Sequence, residues 1–417
     1  MNRYVSVSEV EKVLEPYVAA AGSMTGRDLT TDRTLQLAEY VGNPQNELKV
    51  VHVAGTSGKT STCYYIADLL VRSGMKVGLT VSPHMDSVAE RVQINGSPLP
   101  EDVFCDYFSE FMNLIESAPE MPTYFELMMV FAYGVFQKEK VDYAVVETGL
   151  GGLHDSSNIA SRPDKLCVLT DIGLDHMHVL GRTIEEIAKQ KVGIVKPSNT
   201  LVMHTQSKEV MNVIRNYVAS RRGDLVHSTV DENLLFQQCN WHLAFSVYER
   251  LRDRDHLKTL EAEDIKQSKL VHVPGRMDII QWSGKTIVLD GAHNEQKMSA
   301  FLKCLKSTYP DMKFQVLMAL KQGKELEQLV PLLVPVTSGL IATELTGSQD
   351  SAIKSVEADT IAEGFRRNGI DGVGVERDAE KAFDMLFEAD SEVVVVTGSL
   401  YLVAEIRKLL VPVDDRS

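Results

Sequence analysis

The segment Gly55-Thr56-Ser57-Gly58-Lys59-Thr60-Ser61 holds residue types that can bind a polyphosphate. Glycines let backbone N–H groups turn toward phosphate oxygens, and a helix starting here adds positive potential. Lys59 can reach the β- and γ-phosphates, and a hydroxyl at Thr60 or Ser61 can hold Mg²⁺. The spacing departs from GxxxxGK[ST], because Val53 stands where the first glycine would be. The loop is the shorter GxxGKT form. Glu147 ends an apolar run and is followed by a glycine-rich stretch, Gly149 to Gly152. A hard carboxylate near a triphosphate suggests magnesium ligation, for which oxygen ligands are the norm. Asp175-His176 could join it; taken alone, the histidine reads equally well as a helix cap or a buried ring. Lys191 lies in the apolar context Ile187 to Ile194. A lysine there ordinarily snorkels, but burial would depress its pKa and supply a neutral amine.

Elements must bring these groups to one place. Lys49 to Ala54 reads as a buried strand and Thr60 to Ser73 as a helix stopped by Gly74, with a second strand at Lys76 to Val81. That is one βαβ unit of a parallel sheet. Strands follow at Asp142 to Glu147, Lys165 to Ile172 and Asn199 to His204, with helices at Phe125 to Gln137, Ile184 to Lys191, Lys208 to Arg221 and Asn240 to Asp253. The phosphate loop, Glu147 and Asp175-His176 then all leave the carboxyl edge of the sheet, where open α/β folds bind ligands. The first 48 residues read as helices before a turn at Asn43 to Asn46, and Arg250 to Asp255 reads as a solvated face. After Val273-Pro274-Gly275 the α/β rhythm restarts, with strands at Thr286 to Leu289, Lys313 to Leu320, Leu340 to Thr343 and Val393 to Thr397. Helices are expected at Glu295 to Ser307 and Leu400 to Leu410. The division expected is one domain over 1–270 and a second over 271–417, hinged near 265–275.

Bulk properties narrow the class. The 417 residues are 44% hydrophobic and 24% charged, ordinary for a soluble chain of two or three domains. The net charge of −15 disfavours a broad nucleic-acid-binding face. No apolar run is long enough for a membrane helix, and Met1 to Glu11 lacks the apolar core of a signal peptide. A cytoplasmic monomer is the expectation. The five cysteines form no CxxC pair, which argues against a disulfide framework or a structural zinc site.

In order along the chain, these segments resemble the folylpolyglutamate synthase and dihydrofolate synthase branch of the Mur ligases. His52 to Lys59 looks like its HVAGTNGKGS loop, and Ser82-Pro83-His84 with Glu90 to Ile94 resembles SPHL…ER…I. Thr123 to Glu126 is similar to TxFE. Glu147 to Gly152 with Asp155 and Asn158 resembles ETGLGGRLDATN. Asp175-His176, Leu180-Gly181 and Lys191 to Lys196 resemble DH…LG…EKAGIIK. Pro274 to Arg276, Asp290 to Asn294 and Thr397 to Tyr401 look like PGR, DGAHN and TGSLY.

The resemblance implies an α/β fold: a P-loop Mur-ligase-type N-terminal domain with a parallel-rich sheet, plus a smaller Rossmann-like C-terminal domain. It implies that Gly55, Thr56, Ser57, Gly58, Lys59, Thr60 and Ser61 cradle ATP, with Asn240, Arg276 and Asp290 as further nucleotide contacts. Thr60, Ser82, Glu147, His176 and Lys191 become the metal-site residues for two Mg²⁺ ions, with Lys191 carrying a carbamate. Lys59, Glu147, His176 and Lys191 become the catalytic set. His293 and Ser399 would place L-glutamate, and Thr123 and the loop Gly152 to Asp155 would face the folate or pteroate. Leu153 stands where the family has arginine, which removes a cation beside the substrate; Ser57 and Thr60 are milder departures.

The implied reaction turns a carboxylate into an acyl phosphate with ATP, after which the glutamate amine displaces phosphate. Phosphoryl transfer needs charge neutralisation above all, and the acyl phosphate needs a site closed to water. Two other readings remain at this point. One is a Mur ligase with a non-folate acceptor, which the GTSGKT loop favours slightly. The other is a catalytically degenerate nucleotide-binding protein, to which Leu153 alone points. ATP turnover that depends on glutamate separates them.

Overall fold

The computed structural model describes residues 3–22, 30–118, 120–229, 234–346 and 354–410. The chain divides into two compact units, Met1–Ser82 with Ser87–Val271, and Pro83–Asp86 with His272–Ser417. The short segment Pro83–Asp86, counted with the second unit, has no counterpart in the expected linear division.

In the first unit, helices α1 (Val7–Gly22) and α2 (Asp32–Tyr40) precede β1 (Val50–Ala54), α3 (Lys59–Arg72) and β2 (Val77–Thr80). A two-residue-stranded hairpin, β3 (Gln93–Ile94) and β4 (Ser97–Pro98), leads into α4 (Glu101–Ile115) and α5 (Tyr124–Lys138). Then come β5 (Tyr143–Glu147), β6 (Leu166–Leu169), α6 (Met177–Leu180), α7 (Ile184–Val192), β7 (Thr200–His204), α8 (Lys208–Ser220), β8 (Asp224–Ser228), α9 (Phe236–Asp255) and α10 (Ala262–Ser268). The sheet order is β4-β3-β2-β5-β1-β6-β7-β8, with the strands from β2 to β8 parallel and the hairpin antiparallel at one edge.

The central strands β1 and β5 are buried at every position, as expected of a parallel sheet covered on both faces. On one face α5 is almost wholly buried. Phe131 meets Phe104 and Phe108 edge-on at 5.5 and 5.3 Å, a favoured aromatic geometry. On another, α3 and α9 pack Ile66, Leu69, Leu70, Leu243, Val247 and Leu251 into a second apolar cluster. Capping boxes start α5 at Thr123 with Glu126 and α7 at Thr183 with Glu186, satisfying N–H groups that would otherwise lack partners.

The second unit contains β9 (Asp278–Trp282), β10 (Lys285–Asp290), α11 (Glu295–Thr308), β11 (Phe314–Met318), α12 (Leu326–Leu333), β12 (Thr337–Ala342), α13 (Ala358–Arg367), β13 (Val373–Val375), α14 (Ala379–Glu388), β14 (Val393–Thr397) and α15 (Leu400–Leu410). Its order is β13-β12-β11-β14-β10-β9, parallel except for β9. A buried ion network ties Pro83–Asp86 into this unit: Arg407 pairs with Asp86 and, at 3.1 Å, with Asp278, which also accepts from His272 at 2.8 Å. Breaking such a buried pair leaves a charge without compensation.

One reading changes. Arg250 to Asp255 is not wholly a solvated face: Asp255 is mostly buried against the Tyr143 hydroxyl, with Arg254 and Lys49 beside it. Burial opposes its ionisation, but the Arg254 and Tyr143 hydrogen bonds outweigh it and hold the carboxyl well below the usual range. Replacing Phe131 by Ala should destabilise the first unit by about 3–5 kcal/mol through the cavity it leaves. Urea unfolding is the check, and a change under 1 kcal/mol would contradict the aromatic core as drawn.

Candidate active site

The strand order β2-β5-β1 decides the first site. Glu147 ends the middle strand, the phosphate loop follows β1, and Ser82 follows β2. The Thr60 hydroxyl donates to Glu147 Oε1 at 2.9 Å, and the Ser82 N–H donates to Oε2 at 3.1 Å. Glu147 is 3% exposed, so these bonds compensate a buried carboxylate. The set is one carboxylate, one hydroxyl and the Ser82 segment, all suited to a hard cation whose remaining ligands come from phosphate and water. Among the described residues no group of three or more His, Cys, Asp or Glu side chains could hold a metal ion without such help.

The loop itself turns at Gly58, whose φ of 84° a side chain rarely adopts. A Cβ there would also collide with the Asn240 amide. Asn240 is 3% exposed and its Nδ2 has no hydrogen-bond partner. A buried orphan donor beside a phosphate loop fits an oxygen-rich ligand. Lys59 Nζ donates to the Gly55 carbonyl at 3.2 Å and Lys191 Nζ to the same carbonyl at 2.9 Å. Lys191 is 4% exposed at the end of α7.

Two residues of this loop also have partners within the protein. The Thr56 and Ser57 N–H groups donate to the Asp171 carbonyl, at 2.7 and 3.5 Å, and the Thr56 hydroxyl bonds Gly173. The bridge between Ser57 and Asp171 pins the loop to the strand exit after β6. Ser61 is buried in the first turn of α3.

His176 caps α6 with φ 50°, its side chain 42% exposed beside Asp175 at 3.8 Å. Thr123 is buried and spends its hydroxyl on the Glu126 N–H, while Glu126 bonds Arg33. It thereby caps α5. Asp155 is likewise engaged within the protein. Its carboxylate accepts from the N–H groups of Gly149, Leu150 and Ser157 and from the Ser157 hydroxyl. Burial outweighs those bonds and raises its pKa. Gly152, at φ 153°, packs where a Cβ would meet the Gln190 and Lys191 carbonyls. Leu153 covers Gly193 and donates its N–H to Gln190 at 2.7 Å.

A polar layer behind this edge was not singled out from the sequence. His52 Nε2 contacts the Ser157 hydroxyl at 2.8 Å and the Thr148 hydroxyl at 3.0 Å. Burial, with the charges of Lys165 and Lys196, pushes this histidine well below its ordinary value, so it is neutral. Asn158 bridges the Leu153 and Gly193 carbonyls, each at 3.1 Å. Lys165 is buried and donates to Ala160 and Ile194 at 2.9 and 2.8 Å, its pKa lowered by burial to about 8. The glycine-rich loop is thus stitched to the end of α7 that carries Lys191. Only the lysine at the start of a predicted strand hinted at this.

In the second unit, Asp290 and Thr397 end neighbouring parallel strands in register. The loops bearing His293 and Ser399 therefore leave the same edge. Asp290 accepts from the N–H groups of Met277 at 2.8 Å and Ala292 at 2.9 Å. It organises the loop, and burial raises its pKa to about 6 against the pull of Arg276. Arg276 donates to the Gly275 carbonyl at 3.1 Å. The Ser399 hydroxyl is 3.2 Å from the Tyr401 N–H that it accepts, at the start of α15.

A profile of the Mur ligase middle domain matches residues 53–276, and one of the dihydrofolate synthetase C-terminal domain matches 276–409. The chain is 33% identical to a probable folylpolyglutamate synthase of Schizosaccharomyces pombe, over 78% of this chain and 70% of that one. It is 28% identical to the dihydrofolate synthase/folylpolyglutamate synthase of Bacillus subtilis, over 91% and 94%. The fold matches that of the bifunctional folylpolyglutamate synthase/dihydrofolate synthase of Yersinia pestis, solved with AMPPNP and a manganese ion. There the TM-score is 0.80 at 23% identity, over 97% of this chain and 98% of that one. The chain is therefore a Mur ligase by fold and sequence. Within that class it belongs to the folylpolyglutamate synthase/dihydrofolate synthase family.

Asp290 yields a pH prediction. A carboxyl whose folded pKa is raised to about 6 binds more protons folded than unfolded between pH 4 and 6. Its stabilising effect is therefore present at low pH and declines as pH rises through that window. The unfolding free energy of the wild type relative to Asp290→Asn, from urea titrations, should fall from pH 4 to 6 and level off above, a swing of about 3 kcal/mol. A pH-independent difference would rule this out.

Proposed function

We infer that the protein is an ATP-dependent ligase that joins L-glutamate to a folate-type carboxylate. The observation that carries this is the meeting of Thr60, Ser82 and Glu147 at the mouth of the phosphate loop, in a chain that matches the Bacillus subtilis relative over 91% of its own length and 94% of that one. Nucleotide and a divalent cation are the required companions. Gly58 to Ser61 and Lys59 are proposed to hold the ATP phosphates, with Asn240 donating its orphan amide. Thr60, Ser82 and Glu147 are proposed to hold one Mg²⁺, and His176 and Lys191 a second. Bound magnesium would supply charge neutralisation at the phosphates. Residues 1–270 form the ATP-binding part in this reading. Residues 271–417 contribute Arg276 and Asp290 toward the nucleotide and His293 and Ser399 toward glutamate.

The reaction proposed has two displacements. The acceptor carboxylate attacks the γ-phosphorus, the bond to the β-phosphate oxygen breaks, and ADP leaves. The glutamate amine then attacks the acyl phosphate, the carbon–oxygen bond breaks, and phosphate leaves as the amine sheds a proton. Lys59 supports the first step as a fixed cation. Lys191 is proposed to carry a carbamate. Its burial is consistent with amine chemistry, and a carbamate nitrogen keeps the one hydrogen needed for the Gly55 carbonyl bond. We further propose a cytoplasmic monomer. Among the described residues no helix is long and apolar enough to cross a membrane.

Incubation with Mg-ATP and glutamate, in parallel with dihydropteroate and with tetrahydrofolate, tests the assignment by mass spectrometry. A glutamyl unit on the first identifies dihydrofolate synthase activity, units on the second polyglutamate synthase activity, and both a bifunctional enzyme. No product on either acceptor would overturn the folate reading. Lys191→Ala should lower kcat by roughly 100-fold or more with the circular dichroism spectrum unchanged. It should also abolish a carbon-13 carbamate resonance seen in the wild type under labelled bicarbonate. A fully active variant would remove Lys191 from the mechanism.

A further inference from the structure

His52 stands in the middle of β1, in register with Val146 of β5 and Cys167 of β6, and is fully buried. Burying a polar ring on a central strand is unfavourable unless its hydrogen bonds are met, and the reaction proposed above makes no use of it. Its partners fix the state of the ring. Asp155 Oδ1 accepts from the N–H groups of Gly149 at 3.3 Å and Ser157 at 3.0 Å, and Oδ2 from that of Leu150 at 2.6 Å. Both oxygens are acceptors, so the Ser157 hydroxyl donates to Oδ1. A hydroxyl has one hydrogen, and that of Ser157 is spent there. Toward His52 Nε2, 2.8 Å away, the Ser157 oxygen can therefore only accept, and Nε2 carries the proton. The same Nε2–H lies 3.0 Å from the Thr148 hydroxyl. Nδ1 then bears the lone pair, and it is buried with no hydrogen-bond partner. Leaving that lone pair unmet is the cost of aiming the ring's single proton at Ser157 and Thr148. Three consecutive residues after Glu147 are thus linked to one N–H bond: Thr148 directly, and Gly149 and Leu150 through Asp155 and Ser157.

We propose that His52 is a positioning residue for the metal site, and the proposal rests on the metal role given to Glu147 above. It acts through the segment that follows Glu147 and not by touching nucleotide or cation. β1 carries the phosphate loop at its end and His52 in its middle. One strand therefore sets the loop that bears Thr60 and, through the Nε2–H, the start of the glycine-rich segment. The Glu147 carboxylate bonds the Thr60 hydroxyl and continues directly into that segment. Its place relative to the phosphate loop depends on both anchors. Removing the donor from His52 frees the chain just past Glu147 and loosens the carboxylate while every proposed metal-site residue is still present.

The test compares His52→Gln with His52→Met in the full chain. The two replacements have the same length, and only glutamine offers an N–H near the place of Nε2. Binding of Mn²⁺ in the presence of AMPPNP, read by electron paramagnetic resonance, needs no turnover. The Mn²⁺ dissociation constant should rise by roughly 10- to 100-fold in His52→Met, the effect of losing a group that orients a metal ligand, and stay within about threefold of wild type in His52→Gln. Ser157→Ala leaves the strand intact and cuts the link to Asp155; it should weaken Mn²⁺ binding by at least about threefold. Nitrogen-15 spectra of the wild type should show the His52 ring as the Nε2–H tautomer. Equal Mn²⁺ binding by the methionine and glutamine variants overturns the proposal. If His52→Met does not fold, unchanged binding in Ser157→Ala or an Nδ1–H ring in wild type overturns it as well. A wild type that binds no Mn²⁺ with AMPPNP overturns the metal reading and this proposal together.

Discussion

A buried carboxylate at the end of a central strand needs hydrogen-bond donors, and Glu147 finds them on both sides. The loop after β1 supplies the Thr60 hydroxyl and the loop after β2 supplies the Ser82 N–H. Strand order makes this possible, because β5 lies between β2 and β1. Inserting β5 between two strands joined by α3 opens the crevice in which Glu147 stands, a switch point of the kind that binds ligands in open sheets. The rest of the first unit serves that placement. The aromatic layer around Phe131 holds α5 on one face, and α3 and α9 hold the other, so the strand ends can shift little relative to one another.

Behind the edge, polar groups do what apolar packing cannot. The glycine-rich loop has few side chains to anchor it, so it is fixed through backbone N–H and C=O groups. Asp155 gathers the N–H groups of Gly149, Leu150 and Ser157, and Asn158 gathers the Leu153 and Gly193 carbonyls. Lys165 joins that loop to Ile194, just past the lysine in α7. Such a network is worth most when every member is satisfied. Leu153 fits the same logic: it packs on Gly193, so a side chain that replaces a cation instead secures the junction between the loop and α7.

Much of this was legible in the residues. Buried parallel strands announce themselves as unbroken β-branched runs, as in Val50 to Ala54 and Val393 to Thr397. The phosphate loop and Glu147 stood out because chemistry and element boundary coincide there. Some of the elements overlooked have weak patterns. Strand β8 lies at a sheet edge with Asp224 and His227 exposed, and β9 is a half-exposed edge strand. Helix α4 follows a short hairpin that no hydrophobic period marks. Motif residues are a separate matter. Thr123, Asp155 and the N–H groups of Thr56 and Ser57 carry motif identity, and each makes hydrogen bonds within the protein. A motif records which residue is required, and not whether its polar atoms face a ligand or the chain's own backbone.

That distinction also separates the two sheet edges. In the first unit a helix start and one carboxylate stand at the strand ends, both rigid because they border buried elements. In the second unit, Asp290 fixes the loop that bears His293. A phosphate site gains from rigidity, since its ligand's charge is constant and preorganised donors need no rearrangement.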